Sequence, residues 1–211
     1  MDVTRTEEEQ IEALKKWWAE NGWALIIGVV IGLGAIFGWR GWQTHQALQS
    51  EAASDIYVQI VSDVRKQRYE TARTHAEKLM QEYGSTSYAL FASLMLAKLD
   101  AEAGNIESAI NHLQWVINET DETALEHLAR IRMGRLLLAE DKPEAALSLV
   151  EKIETQQFVV SYQELMGDIY TRLGRTADAH NAYQLALAAI GNNVNEDSLL
   201  QLKFDASKQQ D

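Results

Sequence analysis

Cysteine is absent from this chain of 211 residues, and proline occurs only once. The lack of cysteine excludes a disulfide framework and a thiolate metal site. It is compatible with an oxidising compartment. About 170 residues follow the apolar N-terminal region described below, which is enough for one domain with a sizeable core.

Positive charge is also scarce. The net charge is −12, and after residue 42 the chain has 25 acidic residues against 15 basic ones. Such a surface repels phosphate backbones, so we expect no nucleic-acid partner. The acidity either keeps a helical domain soluble or forms an acidic face for a basic partner.

The sequence patterns of catalysis are missing as well. The five histidines share no metal-ligand spacing, and His-Glu-x-x-His does not occur. There is no Gly-rich phosphate loop after a strand and no Gly-x-Ser-x-Gly motif. We therefore expect a non-enzymatic protein with no catalytic residue, no cofactor and no metal.

An apolar run near the N-terminus is the clearest feature that is present. Residues 24–39 carry no charge, and residues 23–42, at 1.5 Å per residue, extend about 30 Å, the thickness of a bilayer core. Tryptophans flank both ends, as in interfacial belts. A cleaved signal peptide is the main alternative, but the leading region is acidic and no small-x-small site follows closely. We predict an uncleaved transmembrane helix over 23–42.

Basic residues near this helix predict its orientation. Arg5, Lys15 and Lys16 precede it, whereas Arg40 stands alone on the far side until Arg65. Because basic residues favour the cytoplasmic side, residues 1–22 are predicted to be cytoplasmic and the large domain, residues 43–211, to be exported. The chain would then be a single-pass membrane protein.

Glycines recur along the same helix in two small-xxx-small pairs, Gly28 with Gly32 and Gly34 with Gly38. Such pairs let a second helix approach closely in lipid, although glycine is also common in membrane helices generally. We predict a helical partner in the membrane. The preceding segment, Glu7 to Glu20, has one apolar face and either lies along the inner surface or continues the membrane helix.

The remaining chain repeats a tetratricopeptide-like pattern. The best unit fills all six template positions, and two earlier units occupy the same slots around Gly134 and Ala97. A degenerate fourth unit places Ile60 and Ala72 at small positions. The six matching residues of the best unit are Gly167, Tyr170, Gly174, Ala179, Tyr183 and Ala186.

Turn residues agree with helical hairpins. Gly104-Asn105, Asp141-Lys-Pro143 and Gly174-Arg-Thr176 each fall between the two helices of a unit. The segment from Glu196 to Lys208 is predicted to be a final capping helix. The fold class is therefore all-α: one N-terminal transmembrane helix followed by a tetratricopeptide-like repeat domain.

The first helix of each hairpin normally lines a concave face. Its inward positions predict a groove that is apolar at one end and acidic at the other, open to an extended or helical segment of another protein. The same apolar residues would equally fit a core covered by the N-terminal helix. The predicted groove residues are Phe91, Leu94, Lys98, Leu128, Ile131, Arg135, Leu138, Glu164 and Asp168.

The anchor also carries a family resemblance. Ala19-Glu-Asn-Gly22, the four spaced glycines, Gly38-Trp-Arg40, Trp42 and His45-Gln46 resemble the YfgM family of bacterial inner-membrane proteins, ancillary subunits of the SecYEG translocon. The resemblance implies a single-pass protein of the bacterial inner membrane, with residues 43–211 as a periplasmic domain. It implies SecYEG, the PpiD foldase and secreted client proteins as partners. It also implies a link between the cytoplasmic tail and envelope-stress regulation, although the tail here shares little beyond acidity.

Three functions follow from these observations. The first is a translocon subunit that links secreted clients to periplasmic chaperones. The second is a scaffold for envelope or cell-wall assembly. The third is regulation of an envelope-stress response through the cytoplasmic tail.

Overall fold

The protein is described here by a computed structural model that covers residues 7–153, 157–191 and 198–208. Within these ranges all regular structure is α-helical, which confirms the all-α prediction. The first two residues of the predicted capping helix lie outside the described residues. The helices are α1 (Glu7–Arg65), α2 (Tyr69–Glu82), α3 (Ser87–Glu102), α4 (Ile106–Glu119), α5 (Thr123–Ala139), α6 (Pro143–Val150), α7 (Val159–Arg172), α8 (Thr176–Ile190) and α9 (Ser198–Ser207).

The chain divides into two compact units, Met1–Glu51 and Ala52–Asp211. Helix α1 contains the whole predicted span 23–42. It also contains Glu7–Glu20, so this segment continues the membrane helix instead of forming a separate one. The stretch after the span is helical up to Arg65.

The first unit presents apolar side chains outwards. Between Trp23 and Trp42, the large apolar side chains are 43% to 74% exposed. Among the described helices, α1 is the one whose length and composition would allow it to cross a membrane. A Cβ atom added at Gly28, Gly32, Gly34 or Gly38 would meet no atom within 4 Å, so the glycine surface is uncovered.

The described residues of the second unit form four helical hairpins and a final helix. Residues 52–65 of α1 share an apolar cluster with α2 and α3, and the pairs α3–α4, α5–α6 and α7–α8 follow, with α9 against α8. Each hairpin turn contains one residue with positive φ. Asp141 is one of these, and Pro143 begins α6 after it, as predicted. Gly104 and Gly174 confirm two further predicted turns, whereas Gln67 was not predicted.

Small residues lie where helices cross, as the repeat pattern requires. Ile60 and Ala72 are fully buried in one cluster, which confirms the degenerate fourth unit as the first hairpin. Gly167 is packed most tightly, because a Cβ atom there would lie only 2.3 Å from the Tyr183 ring. The unit is therefore a close-packed stack of hairpins.

Each of the first two hairpins contains a pair formed by a buried aspartate and a partly buried histidine. Asp63 accepts a hydrogen bond from Arg68, and one of its oxygens lies 2.9 Å from Nδ1 of His75, twelve residues later. In the next hairpin, Asp100 accepts from Arg73 (2.6 Å) and Ser108 (2.6 Å), and Nε2 of His112 lies 3.4 Å from it. The Arg73–Asp100 bond runs from α2 to α3 and so ties one hairpin to the next.

These contacts shift the pKa values of the groups. Burial alone would raise the pKa of Asp100, but hydrogen bonds from Arg73 and Ser108 outweigh it and the pKa falls below its usual value. Burial lowers the pKa of His112, and nearby Arg73 opposes the raising effect of Asp100. His112 is therefore neutral at pH 7.

Two further histidines join later elements. Nδ1 of His127 lies 2.9 Å from the Tyr162 hydroxyl, between α5 and α7, and burial raises the pKa of Tyr162 to about 12. His180 lies 2.9 Å from the Ser207 hydroxyl and stacks on Phe204 of α9. Four of the five histidines thus make contacts within the stack. No cluster of His, Asp or Glu suited to a metal ion occurs among the described residues.

Candidate partner-binding groove

The inner surface of the first three hairpins contains two adjoining cavities of about 350 and 250 Å³. Both are larger than the ~30 Å³ that one water molecule occupies in the liquid. Leu94, Lys98 and Arg132 line both cavities, so the two form one continuous surface. We call this surface the groove and define it by Tyr57, Phe91, Leu94, Lys98, Leu128, Arg132 and Arg135.

Apolar side chains form the base of the groove. Leu94 is 7% exposed and belongs to the apolar cluster between α3, α4 and α5. Phe91 and Leu128 are half-buried beside it. The Phe91 ring packs against Tyr57 of α1, with centroids 5.9 Å apart, and against Tyr88 at 6.3 Å. These rings hold α3 against α1 and fix the apolar end of the groove.

Three cations stand around these apolar residues. Lys98 and Arg135 expose more than half of their side chains, and Arg132 is also exposed. Lys98 lies 3.7 Å from Glu102, and Arg135 lies 3.7 Å from Glu164. No ion-pair partner of Arg132 occurs among the described residues. The cations are thus weakly paired and accessible, although the domain as a whole is acidic.

The predicted groove residues fall into three groups. Phe91, Leu94, Lys98, Leu128 and Arg135 come together around the two cavities. That these five residues bind a partner stays a prediction.

Ile131 and Leu138 lie elsewhere, which corrects their predicted placement. Ile131 is 4% exposed in the cluster formed by α5, α6 and α7, and Leu138 packs against the same cluster. Neither residue lines the two cavities. The reason is the close approach of α7, whose buried Tyr162 and Leu165 share that cluster with Ile131.

The predicted acidic end is not an open acidic surface. Nζ of Lys203, on α9, lies 2.7 Å from Glu164 and 2.8 Å from Asp168. The Tyr183 hydroxyl donates a further hydrogen bond of 2.8 Å to Asp168. Burial would lower the pKa of Lys203, but these two carboxylates raise it on balance, so the lysine stays charged. The capping helix therefore neutralises this end.

Two groove residues escaped the sequence prediction. Tyr57 precedes Ile60 by three residues, as Leu94 precedes Ala97, so extending the repeat register to the degenerate first unit would have found it. Arg132 directly follows the inward template position of Ile131, so the repeat register does not predict that Arg132 lines the groove. It reaches the groove because both cavities lie between α3 and α5.

A single apolar helix joined to a stack of helical hairpins defines a membrane-anchored protein of the tetratricopeptide class. A family model described as a tetratricopeptide repeat-like domain matches residues 15–209, which include the anchor. The chain therefore belongs to this family. It is also similar to curated proteins that are named ancillary SecYEG translocon subunits. This confirms the resemblance that the anchor carries.

The similarity extends over most of each relative. The protein from Haemophilus influenzae is 31% identical over 85% of this chain and 88% of its own length. The Escherichia coli protein is 30% identical over 87% and 88%. The Neisseria gonorrhoeae protein is 26% identical over 96% and 97%. All three carry the name ancillary SecYEG translocon subunit. No solved structure matches the chain.

Proposed function

We propose that this chain is a membrane-anchored, non-enzymatic interaction protein that serves as an ancillary subunit of the SecYEG translocon. The observation that carries the proposal is the continuous similarity, through anchor and repeats, to proteins of that name. The groove supports a binding role, because it offers apolar cavities and accessible cations to another chain.

The anchor supports a place beside other membrane helices. Its glycine pairs leave an uncovered surface on α1, and small residues allow close packing between helices in lipid. The basic residues Lys15 and Lys16 before the span favour a cytoplasmic N-terminus. The repeat domain would then stand in the periplasm at the exit of the translocon.

In this position the groove would receive a periplasmic partner. The PpiD foldase and secreted client proteins are the partners that we propose, so that exported chains pass from the translocon to periplasmic chaperones. The two cavities at Leu94 are suited to apolar side chains of such a partner.

Purification in mild detergent tests the proposed function. The full chain should recover SecYEG and PpiD, and replacing Gly28 and Gly32 by leucine should reduce this recovery because bulky side chains separate the helices. Replacement of Val29 and Ile36 by leucine is the matched control, since both are already bulky and exposed in the same helix. Absence of SecYEG from repeated purifications would refute the proposal, and recovery of cell-wall enzymes in its place would favour a scaffold.

Orientation has its own test, because the chain contains no cysteine. A single cysteine introduced by Lys208→Cys, where the side chain is exposed, should react with a membrane-impermeant maleimide added to intact spheroplasts. A cysteine at Gln10, before the span, should react only after the membrane is opened. The reverse pattern would place the repeat domain in the cytoplasm.

A further inference from the structure

The charge of the groove is opposite to that of the domain around it. The region after residue 42 has ten more acidic than basic residues. Nevertheless Lys98, Arg132 and Arg135 line one cavity together, and its remaining lining residues are uncharged. The nearest carboxylates, Glu102 and Glu164, lie no closer than 3.7 Å to these cations. An incoming carboxylate can therefore approach them more closely than the internal ones do.

The α9 end of the same array shows the complementary arrangement within the chain. There the stack presents carboxylates, Glu164 and Asp168, and a helix supplies the cation, Lys203, at 2.7 and 2.8 Å. At the groove the stack presents the cations Lys98, Arg132 and Arg135, and none of the described residues brings a carboxylate within 3 Å of these three. Charge complementarity therefore favours an acidic partner at the groove.

The backbone around the groove decides the conformation of the partner. The groove is lined by residues of α1, α3 and α5, whose backbone hydrogen bonds are used within the helices. An extended peptide would lose hydrogen bonds to water on burial and would find no strand edge to replace them. A helix keeps its own backbone bonds and presents apolar side chains at i, i+3 and i+7. Two adjoining apolar cavities suit two such side chains.

We propose that the groove binds an amphipathic, acidic helix of a partner protein, with apolar side chains in the two cavities and carboxylates on Lys98, Arg132 and Arg135. This inference rests on the proposed binding role and names the chemistry of the partner. It assigns the groove to those proposed partners that present an acidic helical segment, whereas a basic segment would bind poorly.

Synthetic helical peptides test this with the full-length protein in detergent micelles. The probe is a fluorescein-labelled peptide of about sixteen residues, or about 24 Å of helix, with leucines on one face and glutamates beside them. A second peptide has lysine in place of every glutamate, and a third has serine in place of the leucines. Fluorescence anisotropy should show the acidic leucine peptide binding at least about tenfold more tightly than either of the others.

Charge reversal in the protein completes the test. The double variant Lys98→Glu/Arg132→Glu should lose at least about tenfold in affinity for the acidic peptide and gain affinity for the basic one. Both side chains are exposed, so folding should be unaffected, and Arg132→Ala gives a milder second variant. The matched control is Lys78→Glu on α2, which is 55% exposed and should bind all three peptides like the unmodified protein.

The outcomes separate this inference from the proposed function. Equal binding of acidic and basic peptides would overturn the inference, as would an acidic preference that survives the double charge reversal. Equal binding of the leucine and serine peptides would also overturn it, because the apolar cavities would then be unused. Recovery of SecYEG by the unmodified protein is read independently, so the proposed function stands or falls on that measurement alone.

Discussion

Replacing Gly167 by alanine should destabilise the repeat domain far more than a glycine-to-alanine change in a helix normally does. The added Cβ atom would lie 2.3, 2.5 and 2.7 Å from three carbons of the Tyr183 ring. All three distances are below any real carbon–carbon contact, so one of the two helices, α7 or α8, must move. The ring cannot easily turn aside, because Tyr183 is 3% exposed and its hydroxyl bonds Asp168 at 2.8 Å.

The magnitude follows from three contributions. Overpacking a close-packed core costs about 1–3 kcal/mol. Loss of the hydrogen bond from the Tyr183 hydroxyl to a carboxylate costs about 1.5–3 kcal/mol. Alanine regains about 1 kcal/mol of helix propensity over glycine. We expect a net loss of about 3 kcal/mol in the free energy of unfolding, and a fall in Tm of about 6–12 °C for a domain of this size.

Thermal unfolding of the full-length protein, followed by circular dichroism, measures the effect. Gly134→Ala is the graded control, because its Cβ atom would conflict with only one atom, a terminal methyl of Leu165 at 2.8 Å. It should cost clearly less than Gly167→Ala. A Gly167→Ala variant as stable as the parent, or a larger effect at Gly134, would contradict the packing described here. Rescue of Gly167→Ala by Tyr183→Leu would identify the ring as the source of the strain.

Two further predictions concern polar groups between helices. Because the pKa of His112 is lowered in the folded protein, the unfolded chain takes up a proton on this imidazole first as the pH falls below about 6.5. The Tm should therefore decrease from pH 7.5 to 5.5. In His112→Gln this decrease should be smaller, and an unchanged decrease would contradict the lowered pKa of His112. Lys203→Met should cost about 2 kcal/mol in the free energy of unfolding by leaving Glu164 and Asp168 without their cation. Lys208→Met, directly after the end of α9 and in an exposed pair with Asp205, should cost less than about 0.5 kcal/mol in the same melts.

The hairpins could be predicted from sequence because their determinants are local. Gly104 and Gly174 take positive φ because glycine has no Cβ atom, and Pro143 begins a helix because the fixed φ of proline suits the first helical position. The small residue at Gly167 likewise marks a helix crossing. Gln67 takes positive φ without any such signal, and its turn is determined by the surrounding hairpin instead.

The groove was predicted less well because its character depends on contacts between distant residues. Lys203 neutralises Glu164 from 39 positions further along the chain, and no local pattern announces that pairing. Ile131 occupies an inward template position, yet the approach of α7 places it in the core. A template predicts which face a residue occupies, whereas the neighbouring helix decides whether that face is open.

The capping helix therefore has a consequence for binding as well as for stability. If α9 were absent, Glu164 and Asp168 would lose their cation, Lys203. They would form an acidic patch next to the cations of the groove, and a basic segment of another protein could bind to this patch. With Lys203 in place, Glu164 and Asp168 are neutralised, and the charged residues that line the two cavities are Lys98, Arg132 and Arg135. Lys203→Met should then have a second effect besides the loss of stability. It should raise the affinity of the basic peptide while leaving that of the acidic peptide nearly unchanged, because the cations at α3 and α5 are not altered.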